Sequence, residues 1–161
     1  MNKLILIAGL PGVGKSTLAR RVAEQENAEI VDVDDFKRSE KDPNRVASQV
    51  TPPEVRWRWY EKALVYAFSL KVSTVVMDET FHLQSLRERF EDRCFLQEVE
   101  VQWIEVCCNS ETVERRLLEK VRVGHLLSPQ EAVQMHRLFK EIWEDFPSKK
   151  NNHIIVYTDD E

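Results

Sequence analysis

The chain has 161 residues, of which 42% are hydrophobic and 32% are charged, and this composition is ordinary for a single globular domain with a real core. Its net charge of −5 argues against a dedicated nucleic-acid-binding protein, although a local basic patch leaves that function open. No apolar run is long enough to span a membrane. The three cysteines, Cys94, Cys107 and Cys108, fit neither a disulfide framework nor a zinc site, so we expect reduced thiols in a cytoplasmic protein.

The first strand that the sequence predicts leads directly into a glycine-rich loop. Residues 4–8 form an apolar run typical of a buried strand, and residues 17–23 repeat apolar side chains at helical spacing. Between them, residues 9–16 read Gly-Leu-Pro-Gly-Val-Gly-Lys-Ser, which fits the phosphate-binding pattern of two glycines five apart followed by Lys and then Ser or Thr. Strand, loop and helix in this order are the context that the pattern requires. The alternative is a glycine-rich turn that binds no nucleotide.

Each residue type in this loop suits a triphosphate ligand. The glycines let bare backbone N–H groups approach the phosphates, beside the unpaired N–H groups at the start of the helix. We expect Lys15 to reach the β- and γ-phosphates and the Ser16 hydroxyl to ligate Mg²⁺. The predicted nucleotide-binding residues are Gly9, Pro11, Gly12, Val13, Gly14, Lys15, Ser16 and Thr17.

The second predicted strand, residues 28–33, runs into a group of carboxylates that includes Asp32, Asp34 and Asp35. Residues 37–53 follow as a polar, irregular segment, and loops of this length are usually functional or disordered. The sequence Thr-Pro-Pro-Glu from Thr51 has the pattern of a capping box and predicts a helix to about residue 70.

The rest of the chain continues to alternate between predicted strands and helices. The predicted strands are 72–77, 99–107 and 154–157, and the predicted helices are 83–94, one that Asn109 caps, and one from Ser128 to about Phe146. This order predicts an α/β protein with three layers, in which helices cover both faces of a parallel sheet. Asp34 and Asp78, like the glycine loop, follow predicted strands at the sheet edge where such folds bind ligands.

These motifs together resemble the small P-loop kinases, in the group that contains polynucleotide 5′-kinase domains, zeta toxins, chloramphenicol phosphotransferase and many bacterial predicted kinases. The resemblance covers nearly the whole chain and rests on residues 9–17, on Asp-Asp-Phe-Lys at 34–37, on Val-Val-Met-Asp-Glu-Thr-Phe at 75–81, and on Glu-Arg-Arg-Leu-Leu-Glu-Lys at 114–120. It implies a P-loop NTPase fold with a five-stranded parallel sheet in the order 2-3-1-4-5. It also implies one kinase-like domain over residues 1–161, with a lid at about 116–128 and an acceptor side at about 35–70.

The function that the resemblance implies is that of a kinase, dependent on ATP and Mg²⁺, with a hydroxyl of a small molecule or a nucleic-acid end as the acceptor. Asp34 matches the catalytic aspartate, which accepts the proton of that hydroxyl. Its neighbour Asp35 is the other candidate for this role. The alternative to a catalytic role is that the two aspartates only form a turn at the end of the strand. Asp78 matches the aspartate that holds Mg²⁺, while Glu79 beside it leaves open which carboxylate faces the metal. A helix-capping role is the alternative for Asp78.

Basic residues at two places complete the match. Arg116, Lys120 and Arg122 align with the lid helix, and because Lys cannot form a bidentate fork, the catalytic lid cation is expected to be Arg116 or Arg122. A solvated helix face is the alternative. On the acceptor side the predicted substrate-binding residues are Asp35, Lys37 and Arg38, and Lys37 matches the arginine with which polynucleotide kinases grip an acceptor phosphate. The aromatic and basic residues there also suit an anionic, stackable acceptor, or simply an amphipathic helix with a tryptophan-rich core face.

The competing class of function is a nucleotide-binding switch or regulator that transfers no phosphate. A GTPase-type switch needs a guanine-reading motif such as Asn-Lys-x-Asp, which the sequence lacks. That absence, together with Asp34 and the lid cations, favours the kinase. The four histidines have no ligand spacing and are interpreted as structural or surface residues.

Overall fold

Five parallel strands form the central sheet of the computed structural model, which describes residues 1–40, 50–119 and 127–159. The strands are β1 (Lys3–Ala8), β2 (Glu29–Ile30), β3 (Thr74–Glu79), β4 (Glu100–Cys107) and β5 (His153–Tyr157), and their spatial order is β2-β3-β1-β4-β5. The predicted sheet order is therefore confirmed. β1 lies between β3 and β4, which explains why residues 4–8 are apolar without alternation: all five are at most 2% exposed.

Helices cover both faces of this sheet. They are α1 (Lys15–Glu26), α2 (Val33–Ser39), α3 (Pro53–Ser69), α4 (Gln84–Leu96), α5 (Ser110–Glu119) and α6 (Pro129–Ile142). Alternate residues of β1 enter two separate core clusters: Leu4 and Leu6 pack with α3 and α4, while Ile5 and Ile7 pack with α1, α5 and α6. The predicted three-layer α/β/α architecture is confirmed. Among the described residues, none of the helices is long and apolar enough to cross a membrane.

The region after β2 differs from the sequence expectation. β2 pairs over only two residues, and residues 33–39 form the short helix α2 instead of the end of a strand and the start of an irregular segment. Asp32 is the N-cap of α2, since its carboxylate accepts a hydrogen bond of 2.9 Å from the Asp34 N–H. The middle of the predicted irregular segment, residues 41–49, lies outside the described residues.

Two helix ends also differ from their predictions. The capping box at Thr51 does not form, because the N-cap of α3 is Pro52, without a side-chain hydrogen bond. At Ser128 the N-cap hydrogen bond of the predicted capping box does form: the Ser128 hydroxyl accepts from the Glu131 N–H at 3.2 Å. α6 then ends at Ile142 rather than near Phe146, because the following backbone leaves the helix: the Glu144 N–H donates to the His82 carbonyl at 2.9 Å.

A buried arginine ties the segment after α6 to the loop after β3. Arg87, on α4, is fully buried and donates hydrogen bonds of 2.7 Å to the carbonyls of Phe81 and Glu144. Its guanidinium lies 3.8 Å from the centre of the Phe146 ring. Because a charged donor satisfies a carbonyl in each segment, this side chain joins the loop after β3 to the segment after α6.

Arg87→Met should lower the free energy of unfolding by about 3 kcal/mol, because two carbonyls lose their charged donor. Arg89→Met is the matched control on the same helix, since Arg89 pairs with Glu54 at the exposed surface, and it should cost less than about 1 kcal/mol. Urea unfolding followed by circular dichroism measures both. Equal losses in the two variants would show that Arg87 does not hold these loops.

Candidate nucleotide and phosphoryl-transfer site

The glycine loop between β1 and α1 needs glycine at two positions. Gly12 and Gly14 have φ angles of +83° and +101°, in the left-handed region that side chains disfavour. A Cβ on Gly12 would also lie 2.8 Å from side-chain atoms of Val113 and Leu117 on α5. Glycine is therefore required at position 12 both by the backbone conformation of the loop and by its packing on α5.

Two buried side chains hold the loop from outside the motif. The Thr158 hydroxyl, just after β5, donates to the Val13 carbonyl at 2.5 Å. His136, on α6, lies with Nδ1 2.8 Å from the Pro11 carbonyl. A carbonyl only accepts, so Nδ1 carries the proton, and burial lowers the pKa of His136. The sequence offers no local motif for Thr158, and it predicts only a structural or surface position for His136.

Lys15 is the first residue of α1 and points back over the loop. Its ammonium donates hydrogen bonds of 2.9 Å to the carbonyls of Gly9 and Leu10. Burial lowers the pKa of Lys15 to about 8, against the charges of Asp78 and Glu79, which raise it. A phosphate group would therefore meet a cation that burial has left poorly solvated, so that its charge is less screened.

Asp78 is the carboxylate that faces the loop. The Ser16 hydroxyl donates to Asp78 Oδ2 at 3.4 Å, whereas Glu79 points to the other face of β3, as strand alternation requires. Burial raises the pKa of Asp78 to about 6, while Lys15 lowers it. A hydroxyl and a carboxylate are oxygen donors that suit Mg²⁺. The described ranges contain no cluster of three or more His, Cys, Asp or Glu side chains able to hold a metal.

The two aspartates of α2 face different partners. Asp34 has a side chain 41% exposed, and its Oδ1 lies 3.3 Å from Lys37 Nζ. Asp35 is 69% exposed and pairs instead with Arg38 at 3.0 Å. Burial and the charges of Asp78 and Glu79 act most strongly on the pKa of Lys15, and the charge of Asp34 adds a smaller effect that raises it.

Glu79 joins α2 and α3 through a buried cluster of charges. Lys37 forms an ion pair with Glu79 Oε2, and Arg56 Nη1 lies 3.6 Å from Oε1. Burial alone would raise the pKa of Glu79, but Lys37 and Arg56 outweigh it and lower the pKa to about 2. The sequence places Arg56 only in a basic stretch, because its pairing with Glu79 depends on how α3 packs on the sheet.

The predicted lid cations are only partly within the described residues. Arg116, on α5, donates from Nη2 to the Thr158 carbonyl at 2.7 Å and so lies beside the residue that holds the loop. Lys120 and Arg122, and most of the predicted lid, lie outside the described residues. Of the histidines, His82 and His153 pack on Phe139 and Phe146, and His125 is also outside.

The loop, the sheet order and the carboxylate at the end of β3 define a P-loop nucleotide-binding domain of the kinase type. The chain belongs to the AAA domain family, whose sequence profile matches residues 4–142. None of the curated proteins compared with the chain matches it.

Solved structures share the whole fold at low sequence identity. A gluconokinase from Sinorhizobium meliloti aligns with a TM-score of 0.70 and 17% identity, over 96% of this chain and 82% of that protein. An unliganded sugar kinase from a Janibacter species aligns with a TM-score of 0.66 and 20% identity, over 98% of this chain and 86% of that protein. At such identities the likeness establishes the fold.

Asp78→Asn should increase stability at pH 7.5, because it removes a buried charge. The pKa of Asp78 is about 6 in the folded protein against a usual 3.8, so the folded state binds this proton more tightly than the unfolded state. Asp78 therefore lowers the free energy of unfolding as the pH rises from about 4 to 6, and the gain in Asp78→Asn should be about 1–2 kcal/mol above pH 6 and absent below pH 4.

Denaturant unfolding of both proteins between pH 4 and 8 measures this difference. The gain in stability is smaller than the full removal of a buried charge would give, because Lys15 also loses the opposite charge of Asp78. A gain that does not change with pH would contradict the assignment of the buried charge to Asp78.

Proposed function

We propose that this chain is an ATP- and Mg²⁺-dependent kinase that transfers the γ-phosphate to a hydroxyl of a small molecule or a nucleic-acid end. The observation that carries the proposal is the position of Asp34. It is a half-exposed carboxylate on α2 that pairs with Lys37, and it takes no part in the contact between Ser16 and Asp78. A phosphate cradle with a separate carboxylate is what transfer to a hydroxyl requires.

In this proposal the nucleotide half of the site is built from the glycine loop, Lys15, Ser16 and Asp78. Ser16 and Asp78 would hold Mg²⁺, which neutralises charge on the β- and γ-phosphates. Lys15 would exchange its two loop carbonyls for phosphate oxygens and stabilise the charge that develops during transfer. Thr158 and His136 keep the loop in place while it does so.

The acceptor half is built on α2. Asp34 would accept the proton of the attacking hydroxyl, and Lys37 would keep the Asp34 carboxylate in place through its ion pair. Asp35, Lys37 and Arg38 line this side, and Arg116 or Arg122 would supply the lid cation. The descriptions of the two structural neighbours as a gluconokinase and a sugar kinase support a hydroxyl acceptor.

A regulatory ATPase without an acceptor is the second candidate. The hydrogen bonds of Arg116 to carbonyls of Thr158 and Asp159 favour it, because a cation committed to the end of β5 must change partners before it can reach a phosphate. The two candidates differ in what Asp34 does: only a kinase needs it for chemistry.

Asp34→Asn should reduce phosphoryl transfer by about a hundred- to ten-thousand-fold, because the amide cannot accept the hydroxyl proton. Nucleotide affinity should change little, since the glycine loop, Lys15 and Ser16 supply the phosphate cradle, whereas Asp34 pairs with Lys37. Asp35→Asn is the matched comparison and should raise the acceptor KM while largely preserving kcat.

Calorimetry with an ATP analogue and a transfer assay against sugars, nucleosides and 5′-hydroxyl oligonucleotides separate these effects. If Asp35→Asn removed transfer and Asp34→Asn did not, the proton acceptor would be Asp35. If neither variant changed the rate of ATP consumption and no acceptor was phosphorylated, the regulatory candidate would be the better one.

A further inference from the structure

We propose that the acceptor of this site carries no negative charge where it meets α2, and that Glu79 sets this selectivity by neutralising Lys37. The acceptor class is thus an uncharged polyhydroxy compound, such as a free sugar, a polyol or a nucleoside. This inference rests on the proposed kinase function and extends it to the substrate.

Lys37 forms an ion pair with the proposed proton acceptor, Asp34, and a second carboxylate already balances its charge. Its ammonium pairs with Glu79 and lies 3.3 Å from Asp34. The Lys37 side chain is only 15% exposed, and its ammonium lies 5.5 Å from the centre of the Trp59 ring. An acceptor carboxylate or phosphate could pair with Lys37 only by displacing Asp34 or by joining two carboxylates around one cation, and like charges at that distance repel strongly.

Arg56 does not offer a second cation to an anionic acceptor. It is 5% exposed, it donates to the Tyr60 hydroxyl at 3.2 Å, and its guanidinium lies 4.7 Å from the centre of the Phe139 ring. Its buried Nε has no hydrogen-bond partner among the described residues. Arg56 therefore acts beneath the surface, where it helps to keep Glu79 ionised and available to Lys37.

The exposed part of α2 is itself acidic. It carries three carboxylates and two cations. The carboxylates are Asp32, Asp34 and Asp35, and the cations are Lys37, which pairs with Asp34, and Arg38, which pairs with Asp35. Burial raises the pKa of Asp32, and the nearby charges of Asp34 and Asp35 raise it further, as expected where carboxylates crowd together. Lys41 and Arg45, farther along the acceptor side, lie outside the described residues.

Carboxylates on this face suit hydroxyl groups well. Each ionised carboxylate of α2 only accepts hydrogen bonds, and the hydroxyl groups of a polyhydroxy substrate can donate them. An ionised carboxylate or phosphate group on the substrate could not donate a hydrogen bond to them. The bound nucleotide adds further negative charge near Lys15. An uncharged acceptor would therefore bind through several hydroxyl groups without any electrostatic penalty.

The test uses pairs of acceptors that differ by one anionic group: glucose and gluconate, glycerol and glycerol 3-phosphate, and uridine and uridine 3′-monophosphate. With wild-type protein, ATP and Mg²⁺, we expect kcat/KM for the uncharged member of any productive pair to be at least about tenfold higher, the size of one poorly screened repulsion. Preference for the anionic member would overturn the inference and leave the kinase function intact. Release of inorganic phosphate alone, with every acceptor, would overturn the kinase function and the inference together.

Glu79→Gln tests the role of the buried carboxylate directly. It should release Lys37 and raise relative activity toward the anionic member, and Glu79→Gln combined with Lys37→Gln should remove that gain. Glu40→Gln is the matched control: Glu40, just after α2, forms an ion pair with Lys62 and accepts a hydrogen bond from Trp59. Because it does not pair with Lys37, selectivity should not change. An equal gain in Glu40→Gln would contradict the role of Glu79. If Glu79→Gln does not fold, the wild-type comparison still decides the inference.

Discussion

The site depends on burying one cation, Lys15, beside two consecutive carboxylates of β3. Burial alone would favour loss of the Lys15 proton, and the charges of Asp78 and Glu79 oppose it. Because neighbouring residues of a strand point to opposite faces, Asp78 meets Ser16 on one side and Glu79 meets Lys37 on the other. Two adjacent positions thus face the nucleotide half and the acceptor half of the proposed site.

The short helix α2 links these halves. Asp32 begins it and so fixes the direction of Asp34, while Lys37, one turn later, reaches back to Glu79. At its end Glu40 accepts a hydrogen bond of 2.9 Å from Trp59 on α3. α2 is therefore held at both ends, although it has only seven residues and would not be stable alone. Its position matters to the proposed function, because a misplaced proton acceptor would lose most of its effect.

The sequence predicted the features whose signals are local. Apolar runs located the strands, and the glycine pattern located the loop, because both are properties of consecutive residues. α2 was missed because its helix depends on contacts with Glu79 and Trp59, far along the chain. The apolar character of Phe146 led the sequence analysis to extend α6 to it. In the structure the Phe146 ring instead packs on Trp103, after the helix has ended. Thr158 and His136 bind the loop through tertiary contacts, which leave no pattern in the nearby sequence.

The most direct test of the kinase is the fate of the γ-phosphate. Protein, Mg²⁺ and γ-labelled ATP are incubated with a defined mixture of sugars, polyols, nucleosides and a 5′-hydroxyl oligonucleotide, and the label is separated into organic phosphate esters and inorganic phosphate. The account predicts that most label enters an ester with wild-type protein and that Lys15→Met abolishes this transfer. Label found only as inorganic phosphate, at a rate that no acceptor changes, would contradict it.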